Sequence, residues 1–496
     1  MVFLSCLLSA GMLVVCFPRL EFSFLAWFAL VPLLLSIDGK KAWRAFRRAY
    51  LCGFLFFAAA IGWVCYVTYI GAVLLVAFLA LYFALFGAAF AFFQPRLKLI
   101  PRLLVLPAVW VALEYIRGHF LSGFGWVMLG HTQYRHLWLI QIADITGVYG
   151  VSYLVMLVNL LIFETWKARK LLAKETVMVA AILAAVTAYG ATVTSTKPHD
   201  GTVKVGVVQP VVSLTEDWDP ARRPWIVGRI VGLTQAMRDK DLDLIVWPET
   251  SLPGVITDSP FLMTEIKATA EDMHVPILMG SMAQVKENYY NSAFLIGTDG
   301  QMLGRYDKIH LVPFGEYLPL RPILGWIDKF VPLEDFTPGA SYKVFSIAPG
   351  KRFSVLICFE DTLGDLCRRF ALAGADFFVN ITNDAWFEET RAPYLHLQGA
   401  VFSCVENHRA LARAANTGIS ALIDPWGRII TTVENAHGKK LWVTGSTSGR
   451  LPLVRQKTFY TKYGDVFTYL CFLCILLAAI ISARRIYGKE NPSGRR

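Results

Sequence analysis

FSVLICFED (353–361) is an apolar run of strand-forming residues that closes on a cysteine and two acids. Such a run reads as a buried strand ending at a polar turn. Five more runs share the form: VKVGVVQP (203–210), DLIVWPET (243–250), PILMGSMA (276–283), NSAFLIGTDG (291–300) and FFVNITND (377–384). Helix-like stretches at 225–239, 260–273 and 392–415 fall between them. Strands separated by helices predict a layered α/β domain over 203–450. In such domains reactive groups gather at the carboxyl edge of the sheet, where this run places Cys358.

Outward from that domain the composition changes. Of 496 residues 55% are hydrophobic and 17% are charged, too apolar for an ordinary soluble protein of this size. The excess sits before residue 196 and in one late stretch. Seven apolar segments, 3–17, 22–37, 49–70, 71–93, 103–120, 147–166 and 176–193, precede the α/β domain, and an eighth covers 466–482. Several reach the ~20 residues that span a bilayer, and the first two are shorter. The expectation is a membrane α-helical bundle of about eight spans: seven in 1–195, a C-terminal one at 466–482 and a basic tail at 483–496. No Lys or Arg precedes the first run and a second follows almost at once, so it is expected to be a membrane helix rather than a cleaved signal peptide.

The net charge of +11 is clustered between apolar runs, not spread over one basic surface, which argues against a nucleic-acid partner. Lys40, Lys41, Arg44, Arg47 and Arg48 follow segment two; Arg96, Lys98 and Arg102 follow segment four; Lys167, Arg169, Lys170 and Lys174 follow segment six. With the tail's Arg484, Arg485, Lys489, Arg495 and Arg496, eight spans put all four clusters on one side, the cytoplasmic one. The α/β domain is then expected outside. Six of nine cysteines lie in apolar runs as small hydrophobes, including Cys471 and Cys474 despite their redox-motif spacing. Only Cys358, Cys367 and Cys404 lie in the middle domain, an odd count without a disulfide pattern.

Three residues of that domain make chemical sense together. Glu249 ends the run LIVW–P, Lys308 sits in GRYDKIHLVPFGEY (304–317), and Cys358 ends FSVLI. Singly they read as a surface carboxylate, a solvated lysine and a structural thiol. As a set, a desolvated carboxylate is a base for a thiol, and a fixed ammonium stabilises charge developing on a carbonyl oxygen. No histidine or cysteine spacing points to a metal, and no phosphate-binding glycine motif occurs, so no cofactor is expected.

WPET, DKIHLVPFGEY and ICFED, in that order, resemble the Glu, Lys and Cys motifs of the nitrilase, or carbon–nitrogen hydrolase, superfamily. The resemblance implies an αββα sandwich. The chain as a whole resembles the apolipoprotein N-acyltransferase family, through its seven N-terminal segments, GFGWVMLGHTQ (123–133), ITGVYGVS (145–152), VQP followed by Trp218, NITNDAWF (380–387) and the C-terminal span. That implies transfer of an acyl chain from a membrane phospholipid, through a thioester on Cys358, to the free amine of a diacylglyceryl-modified apolipoprotein. It also implies a bacterial inner membrane with the catalytic domain in the periplasm. By the same resemblance Glu316 and Glu360 support the site, and Trp218 and Phe359 lie at substrate-contacting positions; a salt bridge elsewhere or a core filler are the plain alternatives. Phe359 replaces a common tyrosine, which puts any role for a phenolic hydroxyl there in doubt.

Two other features stand out. Glu114, in the fifth span, reads either as a functional intramembrane charge or, the favoured reading, as the partner of Arg117 one turn away. The apolar stretch 322–334 reads either as a lid dipping into the bilayer or as a packed loop. The competing functions are a membrane-tethered amidase or nitrilase using the same triad with water as acceptor, and a transporter or receptor whose outer domain only binds. The nearly unbroken apolarity of the spans weighs against the last.

Overall fold

The computed structural model describes residues 2–196, 200–214, 220–250, 252, 254–256, 259–318, 321 and 335–490. Trp218 and the stretch 322–334 lie outside them. The chain divides into two compact units, Met1–Thr196 with Thr458–Arg496, and Lys197–Lys457.

The first unit is helical. Among the described residues, five helices are long and apolar enough to cross a membrane: Tyr69–Phe93, Leu99–Ser122, Val148–Ala168, Ala173–Ser195 and Val466–Arg484. Val2–Cys16 is a shorter apolar helix, and the second segment is split into the 3-10 turn Ser23–Trp27 and the helix Val31–Ile37. Pro32 at the start of the latter favours a fresh helix there. The third helix, Ala42–Ala60, begins inside the basic cluster, so its first half carries Arg44, Arg47 and Arg48. The expected count of eight spans is therefore not confirmed, since three of the eight apolar segments lack a helix that is both long and apolar throughout.

Small residues and a few buried polar groups fit these helices together. A Cβ on Gly87 would lie 2.7 Å from the Ala45 carbonyl oxygen, so glycine permits the close approach of Tyr69–Phe93 to Ala42–Ala60. Asn159 serves the break in the second segment, donating to Ala26 O and accepting from Leu30 N, both at 2.8 Å. The hydrogen bonds of Glu114 and Arg117 go to Trp110 one turn back and to the loop that follows the helix. Glu114 accepts from the Trp110 indole at 3.0 Å and Leu129 N at 2.7 Å, and Arg117 donates to Trp126 O at 2.7 Å.

Among its described residues the second unit holds two six-stranded sheets. One runs β12-β1-β2-β3-β4-β5, with β1 Thr202–Gln209, β2 Leu244–Val246, β3 Ile277–Val285, β4 Asn288–Ile296, β5 Met302–Asp307 and β12 Gly445–Pro452. The other runs β11-β10-β9-β8-β7-β6, with β6 Phe345–Ala348, β7 Lys351–Ile357, β8 Phe377–Thr382, β9 Ala410–Ala415, β10 Ala421–Ile423 and β11 Ile429–Thr432. In each sheet three central strands are parallel, β1-β2-β3 and β7-β8-β9, and their near-continuous burial fits strands covered on both faces. The sheets touch through β1 with β9 and β4 with β7. Helices Arg223–Gln235 and Pro260–Met273 pack on the first sheet through Ile226, Ile230, Leu262 and Ile266. Gly364–Ala373 and Ala392–Asn407 pack together, the latter also against β9. This is the αββα order, and the parallel strands β2 and β7 carry Glu249 and Cys358 just beyond their ends.

Candidate active site

Glu249 follows β2 behind Trp247, whose fully buried indole donates to Thr234 Oγ1 at 2.9 Å and anchors the strand end. On the adjacent β3 a Cβ at Gly280 would fall 2.7 Å from Glu249 Cα, so only glycine lets the two backbones run this close. Lys308 follows β5 and is held by backbone bonds at both ends, its N–H to Asn291 O at 2.9 Å and its carbonyl from Gly339 N at 2.8 Å. Cys358 follows β7 with φ 55°, a left-handed conformation that a residue with a Cβ adopts only at a cost.

These elements bring three charged side chains into one buried group. Lys308 Nζ lies 2.9 Å from Glu316 Oε1 and Oε2 and 3.8 Å from Glu249 Oε1. Asn291 Nδ2 donates to Glu249 Oε1 at 2.7 Å and to Glu316 Oε1 at 2.8 Å, one amide for two carboxylates. Asn383 N completes the cradle, donating to Glu249 Oε2 at 2.8 Å.

Burial raises the pKa of Glu249; Lys308 opposes the rise, Glu316 adds to it, and the two amide donors oppose it. For Lys308 burial works against the charge, but Glu316, Cys358 and Glu249 outweigh it and hold the ammonium firmly protonated. The Cys358 thiol is pushed well up by burial and then by Glu249, against the pull of Lys308. Burial thus favours the neutral thiol at Cys358 and enhances the proton affinity of Glu249, an arrangement in which a proton could pass from sulfur to the carboxylate as the sulfur forms a bond.

Glu360 ties the lysine loop to the cysteine turn. Its Oε1 accepts from Tyr306 OH at 3.0 Å, Ile309 N at 2.9 Å and His310 N at 3.0 Å, while Oε2 accepts from Ile357 N at 2.8 Å. Burial raises its pKa to about 7 against those donors. Phe359 places its ring 5.5 Å from Lys308 Nζ, a cation–π distance, and 5.6 Å from the His310 ring.

Of the residues singled out from sequence, Glu249, Lys308, Glu316, Cys358, Glu360 and Phe359 are thus brought together. Three that bind the set had escaped notice: Asn291, Asn383 and Tyr306. Asn291 and Asn383 were signalled only as polar residues opening or closing an apolar strand, as in NSAFLIG and FFVNITN, and Tyr306 only by its place two residues before Lys308. Among the described residues no group of His, Cys, Asp and Glu could hold a metal ion.

Residues 9–161 match the apolipoprotein N-acyltransferase N-terminal domain family, and 204–443 match the carbon-nitrogen hydrolase family. The apolipoprotein N-acyltransferase of Geobacter metallireducens is 36% identical over 97% of this chain and 95% of its own length. The chain belongs to the apolipoprotein N-acyltransferase family. It is accordingly an enzyme, an N-acyltransferase built on the carbon-nitrogen hydrolase fold. Family members from Methylococcus capsulatus and Chlorobaculum tepidum are 33% and 29% identical, over 85% and 94% of this chain and 82% and 93% of theirs. A solved amidase of Nesterenkonia sp. aligns with 56% of this chain and 99% of its own at 18% identity, with a TM-score of 0.40.

Proposed function

We propose that this enzyme moves a fatty acyl chain from a membrane phospholipid to the N-terminal amine of a diacylglyceryl-modified apolipoprotein, through a thioester on Cys358. Glu249 takes the thiol proton as Sγ bonds to the ester carbonyl carbon. The carbonyl oxygen gains the negative charge and faces the Lys308 ammonium. Collapse breaks the ester C–O bond, Glu249 returns its proton to the leaving oxygen, and lysophospholipid departs. The lipoprotein amine then attacks the thioester carbon, Glu249 accepts a proton from nitrogen, and as the C–S bond breaks Glu249 passes that proton to sulfur, which restores both the thiol and the carboxylate. Glu316 keeps Lys308 charged and in place, and Glu360 fixes the two turns that carry Lys308 and Cys358. Phe359 borders the ammonium on the substrate side.

The observation that supports this reading most is the lone Lys308 ammonium shared by two carboxylates beside a left-handed cysteine turn. The basic clusters between the apolar segments favour a bacterial inner membrane, with the catalytic domain (203–450) on the periplasmic side, the bundle (1–195), the return helix (466–482) and a cytoplasmic tail (483–496). Incubation with radiolabelled phospholipid and no acceptor is expected to give a hydroxylamine-sensitive label absent from Cys358→Ala, and a diacylated lipopeptide is expected to take that label onto its amine. A label that forms only with acceptor present would replace the covalent route by direct transfer, and release of free acid alone would make the enzyme a hydrolase.

A further inference from the structure

Behind Cys358 lies a second buried set of charged groups that the steps above do not use. Asp361, Asp384, His396 and Arg413 are all without solvent exposure. Arg413 Nη1 donates to Asp361 Oδ2 at 2.6 Å and to Asn380 Oδ1 at 2.8 Å, and Nη2 lies 2.8 Å from His396 Nδ1 and 3.3 Å from Asp384 Oδ2. On the other side of the imidazole, His396 Nε2 lies 2.9 Å from Asp361 Oδ1 and 3.2 Å from the carbonyl oxygen of Cys358. Both neighbours of Nε2 can only accept, so Nε2 carries a proton whether the ring is neutral or charged. Asn380 Nδ2 donates to the same Cys358 oxygen at 2.8 Å.

We propose that His396 is a positioning residue for the nucleophile: with Asn380 it draws the Cys358 carbonyl inward and so holds the left-handed turn that presents Sγ to Glu249 and Lys308. A residue with a Cβ stays at φ 55° only where its surroundings over-determine it. Here the surroundings are two donors aimed at one carbonyl, each fixed from behind by Arg413. Asp384 Oδ1, 3.2 Å from Nδ1, and Asp361 Oδ1, 2.9 Å from Nε2, flank the ring and keep the imidazole from turning, because rotation would carry Nε2–H away from Asp361 as well as from Cys358. This rests on Cys358 being the nucleophile.

The test compares His396→Gln, whose amide nitrogen falls near the place of Nε2 and can still donate, with His396→Asn, whose shorter amide cannot reach. Both are read in the full-length enzyme in detergent, as the single-turnover rate of thioester formation from phospholipid and as the rate of iodoacetamide alkylation at Cys358. The Gln variant is expected to stay within about threefold of wild type. The Asn variant is expected to lose about a hundredfold in kcat and a similar factor in alkylation, with KM for phospholipid unchanged. Asn at wild-type rate, equal losses in both variants, or a loss confined to KM would overturn the proposal. Should the Asn variant not fold, Asn380→Ala removes the other donor to the same carbonyl, with the same kcat loss expected and an unchanged rate overturning it. If wild-type enzyme forms no thioester at Cys358, the catalytic reading falls, while the alkylation rates still judge the role of His396.

Discussion

Two buried groups of charge meet at Cys358, and they are built differently. On one side a single Lys308 ammonium serves Glu249 and Glu316, and the Asn291 Oδ1 atom is left without a partner among the described residues. On the other, the Arg413 guanidinium is used at every nitrogen: Nε to Ile419 O at 3.2 Å, Nη1 and Nη2 to Asp361, Asn380, His396 and Asp384. A lysine is a point charge on a flexible stem that can turn toward a new oxyanion, whereas a guanidinium fork locks the geometry it meets. The proton affinities divide the same way. Burial raises Glu249, while for Asp384 burial is outweighed by the neighbouring His396 and Arg413, which favour its charged form and lower it. On the mechanism proposed above, spare capacity lies on the side that would react and saturation on the side that would hold.

The largest effects should come from emptying the reactive side. Glu249→Gln and Cys358→Ala are each expected to lower acyl transfer by about 10³-fold or more, and the double variant should be no worse, because the two act as one unit. Additive losses, measured as single-turnover rates, would show that base and nucleophile work separately. Lys308→Ala is expected to cost about 10²–10³-fold through the lost oxyanion partner. Near-normal turnover in that variant would remove the transition-state role assigned to Lys308.

The two groups should part company in stability. Without Lys308, Glu249 can take up a proton, since its pKa is already raised, and the Glu316 side chain keeps 13% of its exposure, so Lys308→Ala should lower the melting temperature less than the loss of Arg413 does. Arg413→Met strands Asp361 and Asp384, and is expected to cost about 3–5 kcal/mol of folding stability. Thermal unfolding of the two variants in one detergent tests this directly. Equal melting temperatures would erase the distinction between a reactive and a holding group.

A pH profile sharpens the reactive side further. Glu249 must be ionised to accept a proton, so the rate is lost as pH falls through its raised pKa, at a higher pH than an ordinary glutamate would give. Asn291→Leu removes a donor that favours the ionised form, and the acid limb of kcat/KM should move to still higher pH. A limb that stays in place would mean that another group controls it.

Much of this site was legible because strand ends announce themselves. Glu249, Lys308 and Cys358 each close or follow an apolar run, and their motifs carried Glu316 and Glu360 along. The holding group left no such mark: Asp361 and Arg413 are 52 positions apart, and His396 sits in the fully buried helix Ala392–Asn407. Only the sheet order, which sets β9 beside β8 and β8 beside β7, brings them under Cys358. In the helical unit, apolar length alone could not separate a spanning helix from the broken segment 22–37. That break depends on Pro32 and on Asn159, which lies more than a hundred positions away.

The smallest effect is expected where the two groups join. Cys367 Sγ lies 3.6 Å from Glu360 O and 3.8 Å from Asp361 O, touching backbone that belongs to both sides of the site, and Cys404 is equally buried. Burial pushes both thiols well above their ordinary pKa and so disfavours the thiolate at either. Cys358 shares that rise but differs in access, since it alone of the three keeps part of its surface exposed. Iodoacetamide should therefore label native enzyme at Cys358 and spare the other two. Cys367→Ser exchanges a weak donor for a stronger one facing two carbonyl oxygens, and a hydroxyl that finds an acceptor offsets most of its burial cost, which would otherwise be about 1–3 kcal/mol. Cys367→Ser and Cys404→Ser are thus expected to keep turnover within about twofold of wild type. A large kcat loss in Cys367→Ser with an unchanged melting temperature would mean that the backbone between Glu360 and Asp361 moves during the reaction. The holding side would then take part in the chemistry.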